Sequence, residues 1–151
     1  MVNARVGWRW SNIPIPEPHL GGLVVGTVIH LLRPRTFVDD QQRARAVGLG
    51  LIGSGLLLIG WAVRTMGSQE SQNPTTLATT GPYAFSRNPM YVGWTVLYFG
   101  VMLVLNTVWL FVLLPVVIAS SHWIIRQEER SLERVFGGVY RAYRREVRRY
   151  L

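Results

Sequence analysis

Apolar and polar positions fall in blocks along this chain. Leu20 to Leu32 carries no Asp, Glu, Lys or Arg and stops at Arg33-Pro34-Arg35. Ala46 to Val63 is a second uncharged run. After a polar stretch over 64–88, the chain from Asn88 to Ile125 is again free of Asp, Glu, Lys and Arg. About 20 residues cross a hydrocarbon core, so this last block holds two helices and a turn. Leu105-Asn106-Thr107, the polar point at mid-run, places the turn. The pattern predicts an all-α integral membrane protein, one domain over 1–151. Its four transmembrane helices fall near 19–33, 46–64, 89–105 and 107–125, and a C-terminal amphipathic helix follows over 126–150. The first run is short for a full crossing.

The connections are distinct in character. Residues 1–18 hold Trp8, Trp10 and Ile13-Pro14-Ile15-Pro16. Each Pro disfavours helix in the residue before it, so this reads as an extended lead-in and not as a secretory signal. Arg33 to Arg45 is a polar connection containing Asp39-Asp40. The 64–88 stretch is rich in turn formers, from Gly67-Ser68 through Asn73-Pro74 to Gly81-Pro82, and reads as a long loop. Loops of that length are usually functional or disordered. Because a hairpin returns the chain to the side it left, this loop and the C-terminal tail belong on one membrane face. Gly48, Gly50, Gly53, Gly55 and Gly60 in the second run favour close helix packing. Beyond Ile125, Leu132, Val135, Phe136, Val139, Tyr140, Tyr143, Val147 and Tyr150 recur at helical spacing, with a break expected at Gly137-Gly138. The opposite face carries eight Arg, expected to meet lipid phosphates.

Composition sharpens this picture. The chain is 49% hydrophobic and 16% charged, against about 25% charged in soluble domains. All sixteen basic residues are Arg, against eight acidic ones, and the pI is near 11. Such a balance suits nucleic acid only if the charge forms a stripe on a soluble fold. Here Arg flanks the apolar runs and fills the tail, which fits anionic headgroups and excludes nucleic acid as the expected partner. With the N-terminus inside, twelve Arg lie on the cytoplasmic side and four on the other. That places the protein in the cell inner membrane with the C-terminus cytoplasmic. The absence of Cys excludes disulfides, thiolate catalysis and Cys-ligated metal.

Two constellations are dense in chemistry. The first runs from Gly81-Pro82-Tyr83 through Arg87-Asn88-Pro89-Met90-Tyr91-Val92-Gly93, with Pro89 in the first turn of the third helix, where its missing N–H costs nothing. A helix boundary with Tyr in the aromatic belt is the plainer reading. The second is Arg126-Gln127-Glu128-Glu129-Arg130, where adjacent carboxylates leave the bilayer and border the apolar face. A solvated Glu/Arg helix is its plainer reading. Gly53-Ser54-Gly55 reads as packing. His19, His30 and His122 have no metal spacing, so no metal is expected. His122 is a candidate base. No strand and Gly-rich loop are present for a dinucleotide site.

On these two motifs the chain resembles the isoprenylcysteine carboxyl methyltransferase and phospholipid methyltransferase superfamily, as a small bacterial or archaeal member. The residues that carry the likeness are Gly81-Pro82-Tyr83, Arg87-Asn88-Pro89-Met90-Tyr91-Val92-Gly93, Glu128-Glu129-Arg130-Ser131-Leu132 and Phe136-Gly137-Gly138-Val139-Tyr140-Arg141-Ala142-Tyr143. They occur in the family's order and spacing, over roughly residues 12–151. Asn88 stands where the isoprenylcysteine enzymes usually have His, a form closer to the phospholipid-type branch. The resemblance implies methyl transfer from S-adenosylmethionine to a lipid-like or isoprenoid acceptor at the membrane interface. It implies cofactor contacts at Tyr83, Arg87, Pro89, Tyr91, Gly93, Glu128, Glu129, Tyr140 and Tyr143, with catalytic roles for Arg87, Asn88 and Tyr91. Two other classes compete: an NADPH-dependent membrane reductase of sterol or enone type, and a non-catalytic membrane protein. Oligomeric state is not legible.

Overall fold

The computed structural model describes residues 16–72 and 77–151. The Trp- and Pro-rich lead through Ile15, with Arg5 and Arg9, and the Asn73-Pro74 turn lie outside the described residues. Among the described residues five α-helices follow in order: α1 (Glu17–Leu32), α2 (Gln41–Gln72), α3 (Pro89–Leu105), α4 (Val108–Phe136) and α5 (Gly138–Glu146). A 3₁₀ turn, Gly81–Ala84, leads into α3. No strand occurs among the described residues.

Two helical stretches, Gln41–Gly67 and Val108–Phe136, are long and apolar enough to cross a membrane. Their most apolar windows are only 17% and 28% buried. A core helix of a soluble protein buries such a surface; here Leu57 is 77% exposed and Val116 62%. α1 has 16 residues, about 24 Å at ~1.5 Å per residue, and α3 has 17.

The helices pair in two ways. α2 packs along α3 through glycines. A Cβ on Gly48 would sit 2.7 Å from the Gly100 carbonyl oxygen, and one on Gly55 would sit 2.7 Å from that of Gly93. Gly50, Gly53 and Gly60 face open space, so only part of the expected glycine face is an interface. α1 packs along α4, where Gly22 and Gly26 admit Val117 and Leu110. Tyr98, Met102, Leu110, Leu114 and Val117 form the core between the pairs, and the Tyr98 hydroxyl donates to the Leu110 carbonyl at 3.0 Å.

The hairpin turn falls at Asn106-Thr107, as the polar point predicts. Asn106 adopts the left-handed conformation (φ 47°), which Asn tolerates better than most residues. Its side chain accepts from the backbone N–H of Phe37 and Val38 at 3.1 and 3.0 Å and donates to the Val38 carbonyl at 2.7 Å. The polar connection after α1 is thereby fastened to the turn.

Three expectations need correction. The second helix begins at Gln41, not 46, because Asp40 accepts from the Arg43 N–H at 3.0 Å as a cap and Gln41 to Ala46 are mostly good helix formers. It also runs on to Gln72, so the first residues of the expected 64–88 loop are helical. The C-terminal helix breaks where expected but stops short of 150. Gly137 at φ 53° breaks it, and α5 ends at Glu146 with Val147 extended. Val147 and Tyr150 therefore leave the predicted helical face, and Val135 and Val139 are exposed.

Candidate functional site

The first motif is held by short-range geometry. Gly81 takes φ +60°, and a Cβ there would press on Thr65 at 2.8 Å. The turn buries Pro82 and Tyr83. Ser86 Oγ then accepts from the Asn88 N–H at 3.1 Å, and Pro89 opens α3. This brings Arg87, Asn88 and Tyr91 to the membrane-exit end of α4.

The tail closes on the same place. The Arg87 N–H donates to the Arg148 carbonyl at 2.9 Å. Ser86 Oγ and Asn88 Nδ2 donate to the Arg149 carbonyl at 3.3 and 3.2 Å. The Tyr143 hydroxyl donates to the Tyr83 carbonyl at 2.7 Å. Loop and tail thus share one surface, as the hairpin topology requires.

Glu128 and Glu129 are adjacent yet do different things. Glu129 is buried between two guanidinium groups: Arg87 Nη2 at 3.2 Å, and Arg149, whose Nη2 and Nε reach it at 2.8 and 3.1 Å. The side chains of Arg87 and Glu129 are only 7% and 8% exposed. One carboxylate against two cations leaves a net positive charge. Nε and Nη1 of Arg87 are buried without a hydrogen-bond partner. The Tyr140 hydroxyl lies close enough to feel the Arg87 charge but also makes no bond of good geometry. An unpaired buried donor is costly, and a fork of such donors suits a carboxylate.

Glu128, three residues beyond the uncharged run, accepts from the Tyr91 hydroxyl at 3.2 Å. Burial raises its pKa above the ordinary value, and the Tyr91 bond works against that rise. Burial also raises the phenol pKa of Tyr83, and pushes that of Tyr143 up to about 12, so both stay neutral donors. The rings of Tyr140 and Tyr143 meet edge to face at 6.2 Å.

Next to Tyr91 opens a cavity of about 440 Å³ between α1, α3, α4 and the C-terminal segment. Its wall is mainly apolar, including Val96, Phe99, Ile118 and Ile125, with polar atoms from His19, Thr95, Ser121 and Tyr150. Tyr91 is common to the cavity and the charged cluster.

Of the expected site residues, Tyr83, Arg87, Asn88, Tyr91, Glu128, Glu129, Tyr140 and Tyr143 come together, with Pro89 starting the helix beneath them. Gly93 does not; it lies against Gly55 and Ile59 of α2. Sequence reasoning missed Arg149 as a partner of Glu129, since helical phase assigned it to lipid. It also missed Ser86, Thr95 and Ser121, whose residue types carry no signal of their own. His122 Nδ1 is 2.8 Å from the Tyr150 hydroxyl. No cluster of His, Asp or Glu fit to hold a metal occurs among the described residues.

Among the described residues an all-helical fold, two helices long and apolar enough to cross a membrane with exposed apolar faces, and a polar cluster near the end of one of them suit a membrane protein. The model of the phospholipid methyltransferase family matches residues 44–139, well over half of the chain and spanning both motifs. The chain belongs to that family, and it is a membrane methyltransferase by that membership. No curated protein and no solved structure matches it.

Proposed function

We propose that this protein transfers a methyl group from S-adenosylmethionine to a lipid-like acceptor at the membrane interface. The observation that carries the reading is the buried Arg87 guanidinium with two unpartnered N–H groups, on the same motif as Tyr91, which bonds Glu128 and lines the apolar cavity. That donor set fits the cofactor, which has a carboxylate, an ammonium and a sulfonium. Arg87 would hold the carboxylate by charge-assisted bonds. Glu128 would accept from the amino or ribose groups, and Tyr91 and Tyr140 would offer ring faces to the cation. When bound, the cofactor supplies an electrophilic methyl group.

The chain's own residues do the rest by placement, which supplies much of the rate of an in-line displacement. Glu129 fixes Arg87 and Arg149, Asn88 fixes the tail, and Tyr91 joins the polar site to the cavity. The cavity would take the acceptor's apolar body and exclude water. In this reading 1–151 is one domain whose four helices α1 to α4 cross the inner membrane. The Arg distribution supports a cytoplasmic side for the site and C-terminus.

The test is calorimetric titration of detergent-purified protein with S-adenosylhomocysteine. Wild type binds; Arg87→Gln and Glu128→Gln weaken binding at least tenfold while staying folded. Equal binding by wild type and both variants would remove the site assignment, and no binding by folded wild type would remove the cofactor.

A further inference from the structure

Of the three histidines only His19 is buried, at 1% exposure. It lines the apolar cavity and touches two hydroxyls from different helices. Its Nε2 is 3.0 Å from Thr95 Oγ1 on α3, and its Nδ1 is 3.3 Å from Ser121 Oγ on α4. Hydrogen positions follow from counting donors. The Thr95 hydroxyl has one hydrogen and donates it to the Tyr91 carbonyl at 2.8 Å. Thr95 Oγ1 must therefore accept from His19, so Nε2 carries the ring hydrogen. Nδ1 is left to accept the hydrogen of Ser121. Ser121 Oγ keeps a lone pair, and its residue is part of the cavity wall.

A polar tie between membrane helices would explain the bonds, but a tie needs no cavity beside it. Here the chain of Ser121, His19 and Thr95 is anchored at Tyr91, the residue shared with the charged cluster. The His19 and Tyr91 rings are 6.4 Å apart. Resting on the methyltransferase reading, we propose that Ser121 and His19 form a proton relay for an acceptor whose nucleophilic atom bears a hydrogen. Ser121 touches the acceptor, and His19 acts through it as a positioning residue that takes the proton. The nucleophilic atom bonds the methyl carbon as the carbon–sulfur bond breaks and its electron pair stays on sulfur. The acceptor's hydrogen passes to Ser121 Oγ while the Ser121 hydrogen passes to His19 Nδ1. The positive charge that began on sulfonium ends on imidazolium, so the site gains no net charge. The imidazolium then returns its proton to solvent.

The experiment uses full-length protein in micelles with labelled S-adenosylmethionine, and dodecylamine and dodecanoate as matched probes. His19→Gln keeps one donor for Thr95 and one acceptor for Ser121 but takes up no proton. It should lower dodecylamine methylation about 100-fold or more, the usual scale of acid–base assistance. Its S-adenosylhomocysteine titration should match wild type. Ser121→Ala should act likewise, and Ser121→Thr should restore the rate; this pair decides the matter if His19→Gln does not fold. Independently of turnover, ¹⁵N spectra of histidine-labelled wild type should show His19 with hydrogen on Nε2 and a bare Nδ1. Undiminished turnover in His19→Gln, hydrogen on Nδ1, methylation of dodecanoate alone, or methylation of neither probe by protein that binds S-adenosylhomocysteine each overturns the relay. Failure of wild type to bind S-adenosylhomocysteine instead removes the cofactor reading beneath it.

Discussion

The α2–α3 interface and the space between α3 and α4 are built on opposite principles, although they share one helix. Along α2, backbones touch: Gly48 meets Gly100 and Gly55 meets Gly93 with no room for a methyl group. On the other side of α3, Thr95, Val96 and Phe99 stand off from Ile118 and Ser121 across a cavity of about 440 Å³. Between helices in lipid there is little hydrophobic drive, so close packing and polar bonds decide what associates. The first side rests on close backbone packing, with one hydrogen bond at its end from Gln41 Nε2 to the Val104 carbonyl at 3.2 Å. The second packs an apolar core around Tyr98 and Leu110 at one end, uses a few polar bonds, at His19 and at the Arg87–Glu129–Arg149 cluster, at the other, and leaves space there. One face of α3 is a foundation and the other borders the proposed site.

The sharpest way to break this contrast is at the charged cluster. Glu129→Ala leaves two guanidinium groups without their carboxylate, Arg87 almost fully buried and Arg149 32% exposed. Removing one partner of a buried pair typically costs about 3–5 kcal/mol, and the outer Arg will dampen this through solvent screening. Thermal unfolding in detergent should show a lowered midpoint, and an unchanged one would mean that the cluster does not hold loop and tail together.

Next in size is a matched pair on α3. Gly100→Ala puts a methyl group against the Gly48 carbonyl oxygen, which is backbone and cannot swing away. Overpacking of this kind costs about 1–3 kcal/mol. Val96→Phe, facing the cavity, should cost less than Gly100→Ala while blocking methyl transfer and leaving S-adenosylhomocysteine binding intact. Equal stability losses at the two positions would dissolve the distinction between foundation and site.

The smallest expected effect is in pH. The folded pKa of Glu128 is raised above its ordinary 4.5 by burial, so the folded state holds this proton more tightly than the unfolded chain. Its contribution to stability is present in full below about 4.5 and is lost as pH rises through the raised folded value. Cofactor affinity should move the other way, rising as Glu128 ionises to meet a cation. Both slopes should flatten in Glu128→Gln; a titration unchanged by that substitution would mean that Glu128 carries neither.

Much of the architecture was legible because it is one-dimensional. Uncharged runs mark the helices, Asn106 marks the turn, and the hairpin forces the 64–88 segment and the tail to one side. The Arg87 and Glu128-Glu129 motifs stood out because charge at a membrane exit demands partners. The choice among partners was not legible. Glu128 and Glu129 differ by one step of about 100° around a helix, and that step sends one to Tyr91 and the other to Arg87 and Arg149.

The sequence by itself determined an all-helical chain with apolar helices, its hairpin, and the two motifs that a methyltransferase family shares. Tertiary structure alone decided which glycines touch, that Arg149 turns inward after the helix ends at Glu146, and that His19, Thr95 and Ser121 meet across three helices. The reason is physical. Hydropathy and helix periodicity are properties of neighbours along the chain, whereas a close approach, an ion pair or a cavity depends on how separate helices are rotated against one another, and no local pattern of residues encodes that rotation.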